Sequence, residues 1–163
     1  MESTVYSAAT LSVIASIAVA IAGFSGVVVA LTGKTAKSFS ALERLNLRIL
    51  LQVSAFALLF SLIPLILHRA LESATAWRLS MLLYGSVHLV DAGFFTVRSV
   101  RLESASTVQR LAPAAGFAIA IVQITLGFFG TISLVEVTYL FVLVWHLAIA
   151  GMGFVNLIFA SRD

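Results

Sequence analysis

Five stretches of the chain are apolar for long enough to cross a bilayer, and short polar segments separate them. A membrane helix rises about 1.5 Å per residue and needs roughly 20 apolar residues to span the hydrocarbon core. On that scale the pattern predicts helices over about 8–31, 45–67, 77–97, 111–132 and 137–160. The first runs unbroken to Leu31, and Glu2 to Ser7 lacks the basic stretch that opens a cleaved signal, so Ala18-Val19-Ala20 reads as helix interior rather than a cleavage site. Ser40-Ala41-Leu42-Glu43 fits a capping box that starts the second helix at about Ala41, ahead of its membrane part, and Pro64 is expected to bend or end it. Pro113 suits the first turn of the fourth helix. The 48 residues from Pro113 to Ala160 are too many for one span, so a link through Ser133 and Glu136 is expected to divide them.

Composition fixes the class. The chain has 163 residues, 61% of them hydrophobic and only 10% charged, and a mean hydropathy of +1.09. These values define an all-α integral membrane protein, read as a single transmembrane domain over residues 1–163 that forms a five-helix bundle. With no cysteine, neither a disulfide framework nor a thiolate-held metal centre is available. The 10 Lys and Arg are too dispersed for a nucleic-acid surface, but they do bear on orientation. With the N-terminus outside and the C-terminus inside, eight fall on the inner side (Lys34, Lys37, Arg44, Arg48, Arg98, Arg101, Arg110 and Arg162) and two outside (Arg69 and Arg78). That bias is the one expected of cytoplasmic loops. The Ala22-Gly23-Phe24-Ser25-Gly26 segment and the general layout resemble small bacterial membrane proteins without an assigned function. The resemblance implies a bacterial inner membrane and no activity.

Polar residues inside the spans carry the candidate chemistry. In the third helix, His88 and Asp91 share one face with Tyr84, Phe95 and Arg98, at steps of three and four residues. Ionisable groups at membrane depth cost about 2.5–3.5 kcal/mol each, so they face protein, water or a partner charge. The fifth helix repeats the pattern: His146-Leu147-Ala148-Ile149-Ala150-Gly151 matches His88-Leu89-Val90-Asp91-Ala92-Gly93, and the preceding helices carry Gln52-Val53-Ser54 and Gln123-Ile124-Thr125. These matches suggest a tandem hairpin repeat, helices two plus three and four plus five. Small residues at helical steps mark packing faces, with Gly23 and Gly26 on the first helix, Gly93 and Gly151 at the two notches, and Gly116, Ala120 and Gly127 beside Gln123 on the fourth.

Three functions suit this pattern. The first is movement of protons or small ions along a seam of His88, Asp91, His146, Gln52, Gln123 and Tyr84, since imidazole changes charge near neutral pH and amides can hold water. The second is a non-catalytic accessory subunit of a larger membrane complex, docked through its small-residue faces. In the third, His88 and His146 are axial ligands of a b-type haem or ligands of a metal ion. No cofactor is required by the sequence, and the expected partners are the lipid bilayer with either further copies of the chain or a larger complex. Phosphate-binding, zinc-protease and serine-hydrolase motifs are absent, as is an intramembrane lysine for a Schiff base, so no enzyme activity is expected. The Gly23-Phe24-Ser25-Gly26 run has no positioned base and is read as packing. For the polar residues, interhelical hydrogen bonding is the purely structural account, and a buried ion pair is that account for Asp91.

Overall fold

The computed structural model of the chain describes residues 2–31, 39–101 and 107–160. Five helices account for nearly all of them: α1 (Glu2–Leu31), α2 (Ala41–Leu67), α3 (Ser73–Val100), α4 (Thr107–Phe129) and α5 (Ile132–Ala160). All five are long and apolar enough to cross a membrane. Lys34, Lys37 and Arg162, which enter the charge bias, lie outside the described residues.

Local sequence explains where the helices start and stop. The Ser40–Glu43 capping box forms, with the Ser40 amide donating to Glu43 Oε2 at 2.7 Å and the Glu43 amide to Ser40 Oγ at 3.2 Å. Pro64 does not end α2 at once. The helix closes three residues later, where the His68 amide (2.9 Å) and its Nδ1 (2.6 Å) both reach the Pro64 carbonyl. Two boundaries differ from those expected. Helix α4 begins at Thr107, which leaves Pro113 inside the helix rather than in its first turn. The link to α5 is Gly130-Thr131, earlier than Ser133 to Glu136. Gly130 closes α4 through its amide to Leu126 O at 2.8 Å, and a Cβ at Gly130 would come within 2.7 Å of that same oxygen. Thr131 O accepts from the Val135 amide at 3.0 Å and opens α5, which puts Ser133 and Glu136 inside the helix.

The chain divides into two compact units, residues 1–62 with 143–163, and residues 63–142, so the boundary runs through α2 and α5. In the first unit α2 and α5 run antiparallel, since Leu50 Cβ lies 3.2 Å from where a Cβ on Gly153 would stand and Phe56 meets the ring of His146. Helix α1 buries Leu11, Ile14, Ala18 and Ser25, a stripe at three-, four- and seven-residue steps. Its other small-residue face, Ser12, Ser16, Ala20, Gly23 and Gly26, is exposed.

The second unit is organised by α3 against α4, also antiparallel. Glycines let the two backbones approach. A Cβ added at Gly127 would meet Leu82 at 2.6 Å, one at Gly85 would meet Gln123 Cβ and Ile124 Cγ1 at 3.0 Å, and one at Gly116 would meet His88 Nε2 at 3.1 Å. Arg78 completes the far end of the pair. Its Nη1 donates to the carbonyls of Gly127 and Phe128 at 3.1 and 3.2 Å, and Nη2 donates to Gly130 O at 2.8 Å. These carbonyls stand at the C-terminus of α4, where a helix leaves acceptors without partners and carries partial negative charge.

Polarity is distributed as a membrane requires. Large apolar side chains cover the outside, among them Phe24, Ile66, Val90, Phe129 and Phe141, whereas Ser25, Ser61, Ser80, His88, Gln123 and His146 are buried. The three serines each donate to the carbonyl four residues earlier, at 2.6–2.7 Å. The hydroxyls of these three serines are thus satisfied within their own helices, the condition for burial among hydrocarbon.

Candidate functional site

Helix α3 turns one face inward, and that face carries the cluster. Ala76, Trp77, Ser80, Met81, Tyr84, His88, Ala92 and Phe95 are buried at steps of one, three and four that keep them on one helical face, while Val87, Val90, Phe94 and Val97 point outward. Tyr84 and His88 therefore sit inside the second unit because they share the buried stripe. From α4, Gln123 reaches the same interior, fully buried among Gly116, Ala120 and Gly127 on the small-residue face that lets α4 approach.

His88 Nδ1 and Gln123 Oε1 are 2.8 Å apart. An amide oxygen only accepts, so Nδ1 carries the proton and donates. The amide nitrogen of Gln123 donates in turn to Met81 Sδ at 3.8 Å. The other imidazole nitrogen, Nε2, lies against the α4 backbone at Gly116. Tyr84 stacks on His88 with centroids 6.0 Å apart and planes at 28°.

From Tyr84 a series of edge-to-face rings continues to the α2–α3 connection. Tyr84 meets Tyr139 at 5.4 Å, Tyr139 meets Trp77 at 5.5 Å, and Trp77 meets His68 at 5.5 Å. His68 is half-buried and lies 3.2 Å from Ser73 Oγ through Nε2. A ladder of five rings thus joins the polar connection to the buried His88–Gln123 pair, all within residues 63–142.

Of the residues expected at the site, Tyr84, His88 and Gln123 come together here. Asp91 is half-buried one turn beyond His88. Gln52 and His146 belong to the other unit. There His146 is buried at 3% exposure with Phe56 edge-on at 6.4 Å, and Gln52 is half-buried on α2. Ser54, two residues on from Gln52, is buried, and its hydroxyl has no hydrogen-bond partner.

Trp77, Met81 and Tyr139 were not among the expected site residues. A partial signal existed, because Trp77, Met81, Tyr84 and His88 follow four-three-four spacing, so the stripe was readable upward as well as downward. The meeting of Tyr139 with Tyr84 depends on the approach of α5 to α3, which no spacing within one helix encodes. Among the four glycines expected to form notches, Gly23, Gly26 and Gly151 have nothing within 4 Å of an added Cβ, and Gly93 has only Phe117 at 3.9 Å.

His88 Nδ1 is engaged by Gln123 and Nε2 lies near Gly116, whereas an axial ligand must present a ring nitrogen to the iron. Among the described residues no group of three or more His, Asp or Glu side chains is placed to hold a metal ion.

Fold and site together define a helical integral membrane protein with a buried imidazole–amide pair. Comparison with known proteins gives no matching family model, no similar curated protein and no similar solved structure.

Proposed function

We propose that the protein moves protons or small ions across a bacterial inner membrane, with its N-terminus outside and its C-terminus inside. The observation that carries this reading is the buried His88–Gln123 hydrogen bond, which places a group able to change charge inside a span, and Asp91 lies one turn further along α3. Imidazole can take up and release a proton near neutral pH, and an amide partner can switch between donating and accepting as the ring does. In the other unit His146 and Ser54 are buried and Gln52 is half-buried, and the partnerless hydroxyl of Ser54 would take a water. The hairpin repeat, on this reading, supplies each unit with one histidine and one glutamine.

Helix α1 adds support for assembly. Its small residues face outward, where the close approach of a second copy would use them, and five helices alone enclose little volume for a path. That same face favours the alternative, a non-catalytic accessory subunit docked into a larger membrane complex.

Flux in proteoliposomes decides between the two. His88→Ala and Asp91→Asn are each expected to lower proton or ion flux at least tenfold while helicity and oligomeric state stay unchanged, and His146→Ala is expected to act in the same direction. Folded Asp91→Asn protein with undiminished flux overturns the path. No flux from the unmodified chain, together with stable co-purification of large partners from its native membrane, establishes the accessory role. A Soret band in the purified protein would instead favour the haem reading.

A further inference from the structure

The first unit contains an open groove of about 650 Å³ between the end of α1 and the start of α2. It belongs to the first unit, and of its lining residues only Gln52 also enters the ion-path reading. One wall is a polar ladder on α2: Arg44, Arg48 and Gln52 follow at four-residue steps and so line one face over about 12 Å. The rest is apolar, formed by Val29 of α1, Phe39, and Leu47 and Leu51 of α2. Phe39 is buried, and Arg44 Nη1 donates to its carbonyl, which holds that guanidinium at the mouth. Arg44 and Arg48 are exposed, Gln52 is half-buried, and Leu51 is 44% exposed. The groove therefore sets two guanidiniums and an amide beside an apolar wall over the same depth, with Leu47 and Leu51 one residue before Arg48 and Gln52.

Cationic and apolar walls side by side suit an amphipathic anion such as a phospholipid: the guanidinium pair offers forked donors to a phosphate, and Leu51 and Gln52 one turn deeper meet the region where the ester and the start of an acyl chain would lie. A soluble anion would use the arginines alone and leave the apolar wall uncovered.

We propose that this groove binds one anionic phospholipid, its phosphate held by Arg44 and Arg48 and its ester region and the start of an acyl chain against Gln52, Leu51 and the apolar wall. Basic clusters beside a membrane span attract anionic lipid, and the apolar wall adds selectivity for a molecule with tails.

The test uses the full chain purified in detergent, titrated with phosphatidylglycerol, with phosphatidylcholine of the same acyl chains, and with glycerol 3-phosphate, and read by native mass spectrometry and thermal shift. Phosphatidylglycerol is expected to bind at least about fivefold more tightly than phosphatidylcholine, and R48Q is expected to remove that preference. R44Q should do the same, but it also loses the contact to Phe39, so R48Q, checked for unchanged helicity, carries the result. R101Q, at another helix end, should leave the preference intact. Equal binding of the two lipids, an unchanged preference in R48Q, or an equal loss in R101Q each overturns the site. Displacement of the lipid by millimolar glycerol 3-phosphate shows a soluble phosphate ester to be the ligand and overturns the lipid assignment.

Discussion

Arg78 is a single side chain on which the end of another helix depends. Its guanidinium occupies three carbonyls at the C-terminus of α4, acceptors that otherwise need water at an interface where water is scarce. R78A is expected to lower stability by about 1–2 kcal/mol, the range for charge-assisted hydrogen bonds to a half-buried site. R78K should recover only part of this, because an ammonium lacks the fork that spans two carbonyl directions. Thermal unfolding in detergent measures both, and an R78A protein as stable as the parent would show that the cap is dispensable. Such a contact was not legible in the chain. An arginine after a tryptophan near a span end reads as an interfacial anchor, and its partners lie about 50 positions away. His88 was different: a histidine inside an apolar run announces itself, because burial without a partner is too costly to be accidental. Its partner Gln123 was visible for the same reason, as an amide at mid-depth on a small-residue face. Their pairing was not, since several arrangements of five helices satisfy both.

Among the elements, α1 shows most clearly the difference between a pattern and its use. Small residues at helical steps predict a surface suited to close packing, and the chain does fold with α1 on a stripe of its own. That stripe is the apolar Leu11, Ile14 and Ala18 side, however, and Gly23 and Gly26 have open space before them. G23L is therefore expected to leave the melting temperature of the isolated chain within about 2 °C of the parent, because the larger side chain meets nothing of the same molecule. If the face joins copies, the same substitution should dissociate the oligomer on size-exclusion chromatography with light scattering. An equal loss on Val28→Leu, off the strip, would count against an interface there. The glycines that do bring helices together, Gly85, Gly116, Gly127 and Gly153, differ from Gly23 in nothing local. They are distinguished only by what α2, α3 and α4 place opposite them.

For the whole molecule the charge bias predicts which loops face which side. The natural chain has no cysteine, so single cysteines report cleanly. A70C, in the exposed α2–α3 connection, should react with an impermeant maleimide from outside intact cells, and R101C, at the end of α3, only after the membrane is opened. The reverse pattern would invert the orientation, and labelling of both from one side would break the count of crossings.

Helix number, helix class and the confinement of chemistry to a few buried polar residues were all determined by the sequence, because each follows from a local balance. A run of apolar residues in hydrocarbon must satisfy its backbone within itself, and a polar residue inside that run must find a partner. The boundaries near α4 slipped because a proline tolerated inside a helix looks the same in sequence as one that opens it. What only the tertiary structure decided was who meets whom: α3 with α4, α2 with α5, His88 with Gln123, and Tyr139 between Trp77 and Tyr84. In lipid the apolar faces of five helices are nearly interchangeable, since hydrocarbon contacts them as well as a neighbour does. The choice among packings then rests on close fits at a few glycines and on hydrogen bonds between positions distant in the chain, and these are properties of pairs of helices rather than of any one segment.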